Sequence, residues 1–452
     1  MITSARRSRS VGLFASALLA GALVLGGCGS DSNPQTSLRV IHASPDAPQV
    51  NVLVDGDAVL TEVDYKQGSG FERLDRGTYD IAVEAITPGG DVTVIDVSAA
   101  SLASDREYSV LAIGKVAGST LRPLIIDNPR AMVPAGQVRA QVVHAAPDAP
   151  PVSVYVTAPV ADLAAATPLG SFSFGETLGP VEVPAGDYRI RITLAGNPAA
   201  VVYDSGSVPL AARADLLIAA VANSATGPAP VALLVNDGTD QVELLDVATT
   251  ADVRAAHLSP DAPAVDVIVN DNLASPLFDA VTYPSITAYA SVPPATYNLK
   301  VVDDATQGLT VIDADQALEK GQAYSVLAVG ALANIEPLVL TDDRRSIATE
   351  ARVRIVHASP TAGNVDIYVA APGTDVNLIS PTFANVAFKA NTGYVGLNGA
   401  TYEVSVTPTG LKAPIAIFAT LAIANGDIFT VIARDAPGGG VPLGLVVQDE
   451  TD

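Results

Sequence analysis

The sequence predicts an all-β protein of four tandem Ig-like or transthyretin-like β-sandwich repeats, arranged as two short–long pairs. Three observations carry that prediction. A histidine-centred motif occurs four times, at intervals near 100 residues. Between its copies, β-branched residues recur at period two, as in Val50, Val52 and Val54 or Val265, Val267 and Val269. The 32 Pro and 36 Gly punctuate these runs at a spacing suited to sandwiches, and helical periodicity is scarce.

Composition bounds the remaining choices. The 452 residues suit about three domains by length alone, and 49% hydrophobic content supplies packed cores. A net charge of −23 leaves no electrostatic footprint for nucleic acid. One Cys, no Trp and four His exclude a disulfide scaffold and a Cys-rich zinc module.

The first element is an address. Residues 1–27 read as a lipoprotein signal peptide, with Arg6, Arg7 and Arg9 ahead of an apolar run over 11–25 that is too short for an ordinary membrane span. The run ends in Leu25-Gly26-Gly27-Cys28, which looks like a bacterial lipobox and makes Cys28 the lipidated first residue of the mature chain. Removing 1–27 takes away three Arg and no acid, so the charge goes from −23 to −26. Residues 28–37 are the lipidated Cys and a polar, flexible tether. Gly29 is compatible with outer-membrane sorting in a Gram-negative cell.

The repeats follow at 38–130 (short), 138–238 (long), 253–345 (short) and 351–449 (long). Arg39-Val-Ile-His42-Ala-Ser-Pro-Asp46-Ala-Pro48 returns around His144, His257 and His357, so all four His occupy one repeat position. A turn followed by Tyr then opens a strand at Tyr79, Tyr188, Tyr297 and Tyr402, and these lie 37, 44, 40 and 45 residues after the His. A later apolar strand, such as 108–114 or 324–330, keeps the same short–long alternation. The His offsets between like repeats, 215 and 213, indicate duplication of a two-domain unit. Each repeat holds seven or eight strands, with one short helical turn at 160–166. Exchange of strands between paired repeats is the alternative architecture.

The R-x-x-H-A-S-P-D-A-P signature, the V-x-V-x-V strand and the G-T-Y turn resemble the bacterial domain-of-unknown-function family 4397. The resemblance spans roughly 38–449 and implies extracytoplasmic β domains, with no established catalytic activity or ligand. Repeat four departs from it at Thr361 and Gly363, and repeat two has Gln141 where the others have Arg39, Arg254 and Arg354.

The motif residues His42, Asp46, His144, Asp148, His257, Asp261 and His357 are expected to be structural. The Pro residues set a turn, and a His–Asp hydrogen bond across it would orient the ring. One His and one Asp per repeat fall short of a metal site, and no cofactor motif occurs. Acidic turns at 270–272 and 303–304 lack a calcium-loop pattern. Ser44, Ser259 and Ser359 lie two residues after the His, an unsuitable spacing for a triad, and repeat two has Ala146. The four Tyr are expected to pack their rings and hydrogen-bond backbone, as in a tyrosine corner. The functional expectation is a non-enzymatic lipoprotein of the cell envelope, extracytoplasmic and on the outer membrane or cell surface of a Gram-negative cell. It would be held to the membrane by its lipid, with a structural, adhesive or binding role toward a protein or glycan. The alternative is a ligand, metal or hydrolytic site between paired repeats at the His loops.

Overall fold

The computed structural model describes residues 34–414 and 416–451. The signal segment and Cys28 lie outside the described residues. Repeat one shows the plan shared by all four. Its strands are β1 (Gln35–His42), β2 (Val50–Val54), β3 (Asp57–Val63), β4 (Glu72–Asp75), β5 (Gly77–Ala85), β6 (Val92–Leu102), β7 (Arg106–Ile113) and β8 (Arg122–Pro129). They form two four-stranded sheets, ordered β4-β1-β7-β8 and β3-β2-β5-β6. Neighbours are antiparallel except β1 and β7, which run parallel with His42 opposite Ala112.

The same parallel pair places His144 opposite Ala220, His257 opposite Ala328 and His357 opposite Ala433. Each sheet takes its strands from one repeat, which overturns the strand-exchange alternative. Repeat two also reaches past 238, because Gln241–Leu244 adds an edge strand beside Val231–Asn236. The helical turn expected near 160–166 is a 3-10 turn, Leu163–Ala165, capped by the Asp162 carboxylate, which accepts from the Ala164 N–H.

Burial explains the two strand patterns. Val50–Val54 alternates buried and half-buried, as a strand with one wet face should. The His-bearing strand is buried almost without alternation in every repeat. One face lines the repeat's own core, and the other packs on the sister repeat. Ile41, Leu111 and Ile113 of repeat one thus share a cluster with Val143, Leu217, Ala219 and Leu234 of repeat two. Leu258, Leu327 and Val329 of repeat three meet Val356, Ala358 and Ile432 of repeat four. The short–long pairs of the sequence are therefore sheet-to-sheet pairs in space.

Candidate functional site: the histidine loops and the seams between repeats

Each His ends its strand with the ring folded under its own loop. Nε2 faces the carbonyl of the residue six positions on: Pro48 at 3.0 Å, Pro150 at 3.3 Å, Pro263 at 2.8 Å and Gly363 at 2.7 Å. A carbonyl only accepts, so Nε2 carries the proton. Nδ1 then accepts from the backbone N–H of Ser44, Ser259 or Ser359 at 3.3–3.4 Å, while Nδ1 of His144 has no partner. This is the neutral tautomer. Burial pushes the His42 pKa down to about 4 and lowers those of His144, His257 and His357. The rings contact Ser backbone and not Ser hydroxyl, so they have no general-base geometry toward Ser44, Ser259 or Ser359.

The expected His–Asp hydrogen bond does not form. Asp46 instead accepts from the N–H groups of Val116 and Ala117, at 2.8 and 2.9 Å, in the loop after β7. Asp261 accepts from Leu332 N–H at 2.8 Å in the matching loop. Asp148 points to Lys115 of repeat one, at 2.7 Å. In repeats one and three the reason is geometric: the ring is already saturated by its own loop, and the loop after the parallel strand presents N–H groups to the carboxylate.

An aromatic ring packs edge-on against each His: Tyr65, Phe174, Tyr283 and Phe388, with centroids 6.0–6.4 Å away. A cation covers each of these rings. Arg345, Arg122 and Arg434 lie 5.6 Å above Tyr65, Phe174 and Tyr283, and each Arg comes from another part of the chain than the ring's own repeat. Lys389 covers Phe388 at 5.9 Å and pairs with Glu336 of repeat three. The Tyr65 hydroxyl donates to the Ala222 carbonyl of repeat two, and the Tyr283 hydroxyl to Asp435 of repeat four. The motif thus links its own loop to a neighbouring domain.

A polar cluster sits in the seam between repeats three and four. Arg254 pairs with Glu450 and Arg354 with Asp342, each at 2.5 Å, with cross distances of 3.8 and 3.6 Å. All four side chains are at most 3% exposed. Tyr289 and Tyr394 donate to Asp342 and Glu450 at 2.7 Å and lie 4.6 Å from Arg254 and Arg354. Burial alone would raise the Glu450 pKa, but Arg254 and the surrounding hydroxyls hold it below the usual range. Between repeats one and two the place is nearly uncharged. There Arg39 donates to Ser109 and Asn236, and Gln141 accepts from Asn128. The Arg-to-Gln departure at 141 is visible in sequence; the carboxylates that Arg254 and Arg354 meet, Glu450 and Asp342, are not.

The strand-start tyrosines form corners. The hydroxyls of Tyr79, Tyr188, Tyr297 and Tyr402 donate to the carbonyl four residues back, at 2.7–3.0 Å. Asp266, Asp279 and Asp304 bring carboxylate oxygens within 4.8 Å of one another, a grouping of cation-ligand type, with Asp304 from the acidic turn noted in sequence. Asp266 has a structural task as well: it holds the N–H of Ala280, a bulge residue at φ 50°. Asn51 does the same for Glu62, and Asp366 for Asn385. Finally, a polar cleft of about 1070 Å³ opens between the two pairs, lined by Asp46, Lys115 and Asp148 on one side and Gln322, Asp343 and Arg345 on the other.

This geometry defines a tandem β-sandwich protein whose signature loops join domains. Residues 36–155 and 251–368, together just over half of the chain, match the family described as "Domain of unknown function (DUF4397)", and the chain belongs to that family. Each match covers a short repeat and the first two strands of the long repeat after it. No curated protein matches the chain. Among solved structures, one similar chain is the "Crystal structure of CBMbc (family CBM26) from Eubacterium rectale Amy13K in Complex with Maltoheptaose". It is 11% identical, with 44% of this chain and 96% of that chain covered and a TM-score of 0.16, a likeness on which no inference about ligands rests.

Proposed function

We propose that the protein is a non-catalytic lipoprotein of the cell envelope that presents a stiff array of β-sandwiches to a protein or glycan partner. One observation carries the reading: every motif His gives its Nε2–H to its own loop, His42, His257 and His357 have Nδ1 taken as well, and the loops serve domain-to-domain contacts. A side chain held neutral, buried and hydrogen-bonded has no free valence for metal or substrate. Two-faced burial of the His-bearing sheets makes each pair a single packed unit, as a spacer requires. The membrane address rests on the lipobox at Cys28. Cys28→Ala is expected to move the protein from the membrane fraction to the soluble extracytoplasmic fraction, while wild type on intact cells is cut by added protease. Unchanged membrane retention of the variant would overturn the lipoprotein reading, and protection of wild type on intact cells would overturn the surface display.

The second reading places a ligand in the cleft between the pairs. Two His loops, through Asp46 and Asp148, reach its wall. Mixed charge and amide groups there suit a polar ligand. Screening wild type against peptides and oligosaccharides, with Asp148→Ala and Gln322→Ala as controls, tests that reading.

A further inference from the structure

The His42 loop holds one side chain that the other His loops do not. Arg345, at the end of repeat three, reaches across to repeat one. Its Nη1 donates to the carbonyls of Pro45 and Ala47 at 3.4 and 2.8 Å, and its Nη2 pairs with Asp64 at 2.5 Å. Its guanidinium lies over Tyr65. Two carbonyls, a carboxylate and a ring face suit a planar fork far better than an ammonium. We infer that the His42 loop is a guanidinium-binding socket, filled in cis by Arg345, which latches the two halves of the chain across the cleft.

The sister loops explain why only repeat one has the socket. In repeat three the ring of Tyr283 is taken by Arg434, the residue directly after Ala433, which stands opposite His357. The residue at the place of Arg434 in repeat two is Val221, so the sister repeat sends no guanidinium to Tyr65; the neighbouring Lys66 ammonium lies 5.4 Å from the ring, and the guanidinium over it is that of Arg345. Asp64 also has no acidic counterpart: Ser173, Thr282 and Ala387 precede the other three aromatic residues.

The seam between the halves is built to part. Ala348 N–H donates to the Asp46 carbonyl at 2.8 Å beside the latch. At the other end, Thr226 donates to the carbonyls of Gly321 and Thr250, and Lys320 to Leu245. No buried apolar cluster among the described residues draws on both halves, whereas each pair is fused by one. Polar seams of this kind permit domain motion.

The test uses the full chain and its Arg345→Ala variant. The latch predicts amide exchange at Ala348 faster by about tenfold or more in the variant, with the sheet cores unchanged. The socket predicts that N-acetyl-arginine amide shifts the amide resonances of Ala47 and Tyr65 in the variant. The lysine analogue should not do so, and neither wild type nor Arg345→Ala/Asp64→Asn should respond. Wild-type exchange at Ala348 in the variant would overturn the latch. Absent arginine shifts, or equal shifts with lysine, would overturn the socket. Arg345→Lys keeps the charge and loses the fork, so it answers the same questions if the alanine variant fails to fold.

Discussion

Asp46 and Asp435 bring a carboxylate to the same junction of the sandwich from opposite sides. Asp46 belongs to the His loop and caps N–H groups in the loop after the parallel strand. Asp435 sits in that second loop and reaches back, accepting from Ser359, Thr361 and the Gly440 N–H. Where repeat one has Asp46 and Gly114, repeat four has Thr361 and Asp435. Gly114 takes φ +95°, where a Cβ would collide with the Thr120 carbonyl, so an Asp there requires the loop of repeat four to be rebuilt.

That exchange predicts the effect of Asp435→Ala. The substitution leaves the fully buried Ser359 hydroxyl without its acceptor, and the Gly440 N–H also loses one. The cost is expected to be about 1–3 kcal/mol. Urea melts of wild type and variant measure it. A change below a few tenths would mean that the turn holds itself without the carboxylate.

Acid should weaken the fold before the carboxylates titrate. Burial lowers the His42 pKa from 6.5 to about 4, so the unfolded chain binds that proton more readily than the folded one. The stability is therefore complete above pH 6.5 and is lost as pH falls toward 4, amounting to about 3 kcal/mol for His42 alone. The other three His shift in the same direction and add to the loss. Melts at pH 7.5, 6 and 5 should show a falling Tm. His42→Gln keeps an N–H donor and removes the titration, so it should start lower and fall less steeply. Parallel pH curves for variant and wild type would contradict the buried neutral ring.

Part of this was legible in the sequence and part was not. The four-fold His motif and the Tyr turns announce themselves by repetition, and the period-two Val strands announce the sandwich. The corner hydrogen bond of Tyr79 is local, four residues long, so composition and turn chemistry suffice for it. The partner of Asp46 is 70 residues away across a parallel strand pair, and nothing near Asp46 points there. The same holds for Arg254 and Glu450, separated by 196 residues. A short apolar strand such as β1 also reads alike whether one or both faces are covered, so the sequence shows the pairs but not that their His-bearing sheets pack face to face.

The seam cluster predicts an asymmetry between its two copies. Glu450→Ala strands Arg254 in a dry seam beside Arg354, with one carboxylate left for two guanidinium groups. Removing one member of a buried ion cluster costs about 3–5 kcal/mol. Asn236→Ala, at the corresponding place between repeats one and two, removes a neutral partner of Arg39 and should cost about 1–3 kcal/mol. A double-mutant cycle of Arg354→Gln with Glu450→Gln, which imitates Gln141, should recover much of the loss. Equal costs for the two alanine variants would show that the charges contribute no more than the amides.

The sheet-to-sheet seam makes its own prediction about fragments. Repeat one alone, residues 34–130, would expose Ile41, Leu111 and Ile113, each fully buried in the chain. An apolar sheet face of that kind drives association. The isolated repeat is therefore expected to dimerise or aggregate, whereas residues 34–250, which keep Val143, Leu217 and Leu234 over that face, should be monomeric. Leu217→Ala within the longer fragment removes buried side-chain volume from the seam and should cost about 3–5 kcal/mol. Light scattering reads the first outcome and urea melts the second. A monomeric, cooperatively folded repeat one would mean that the pairs are neighbours in the chain and not units of folding.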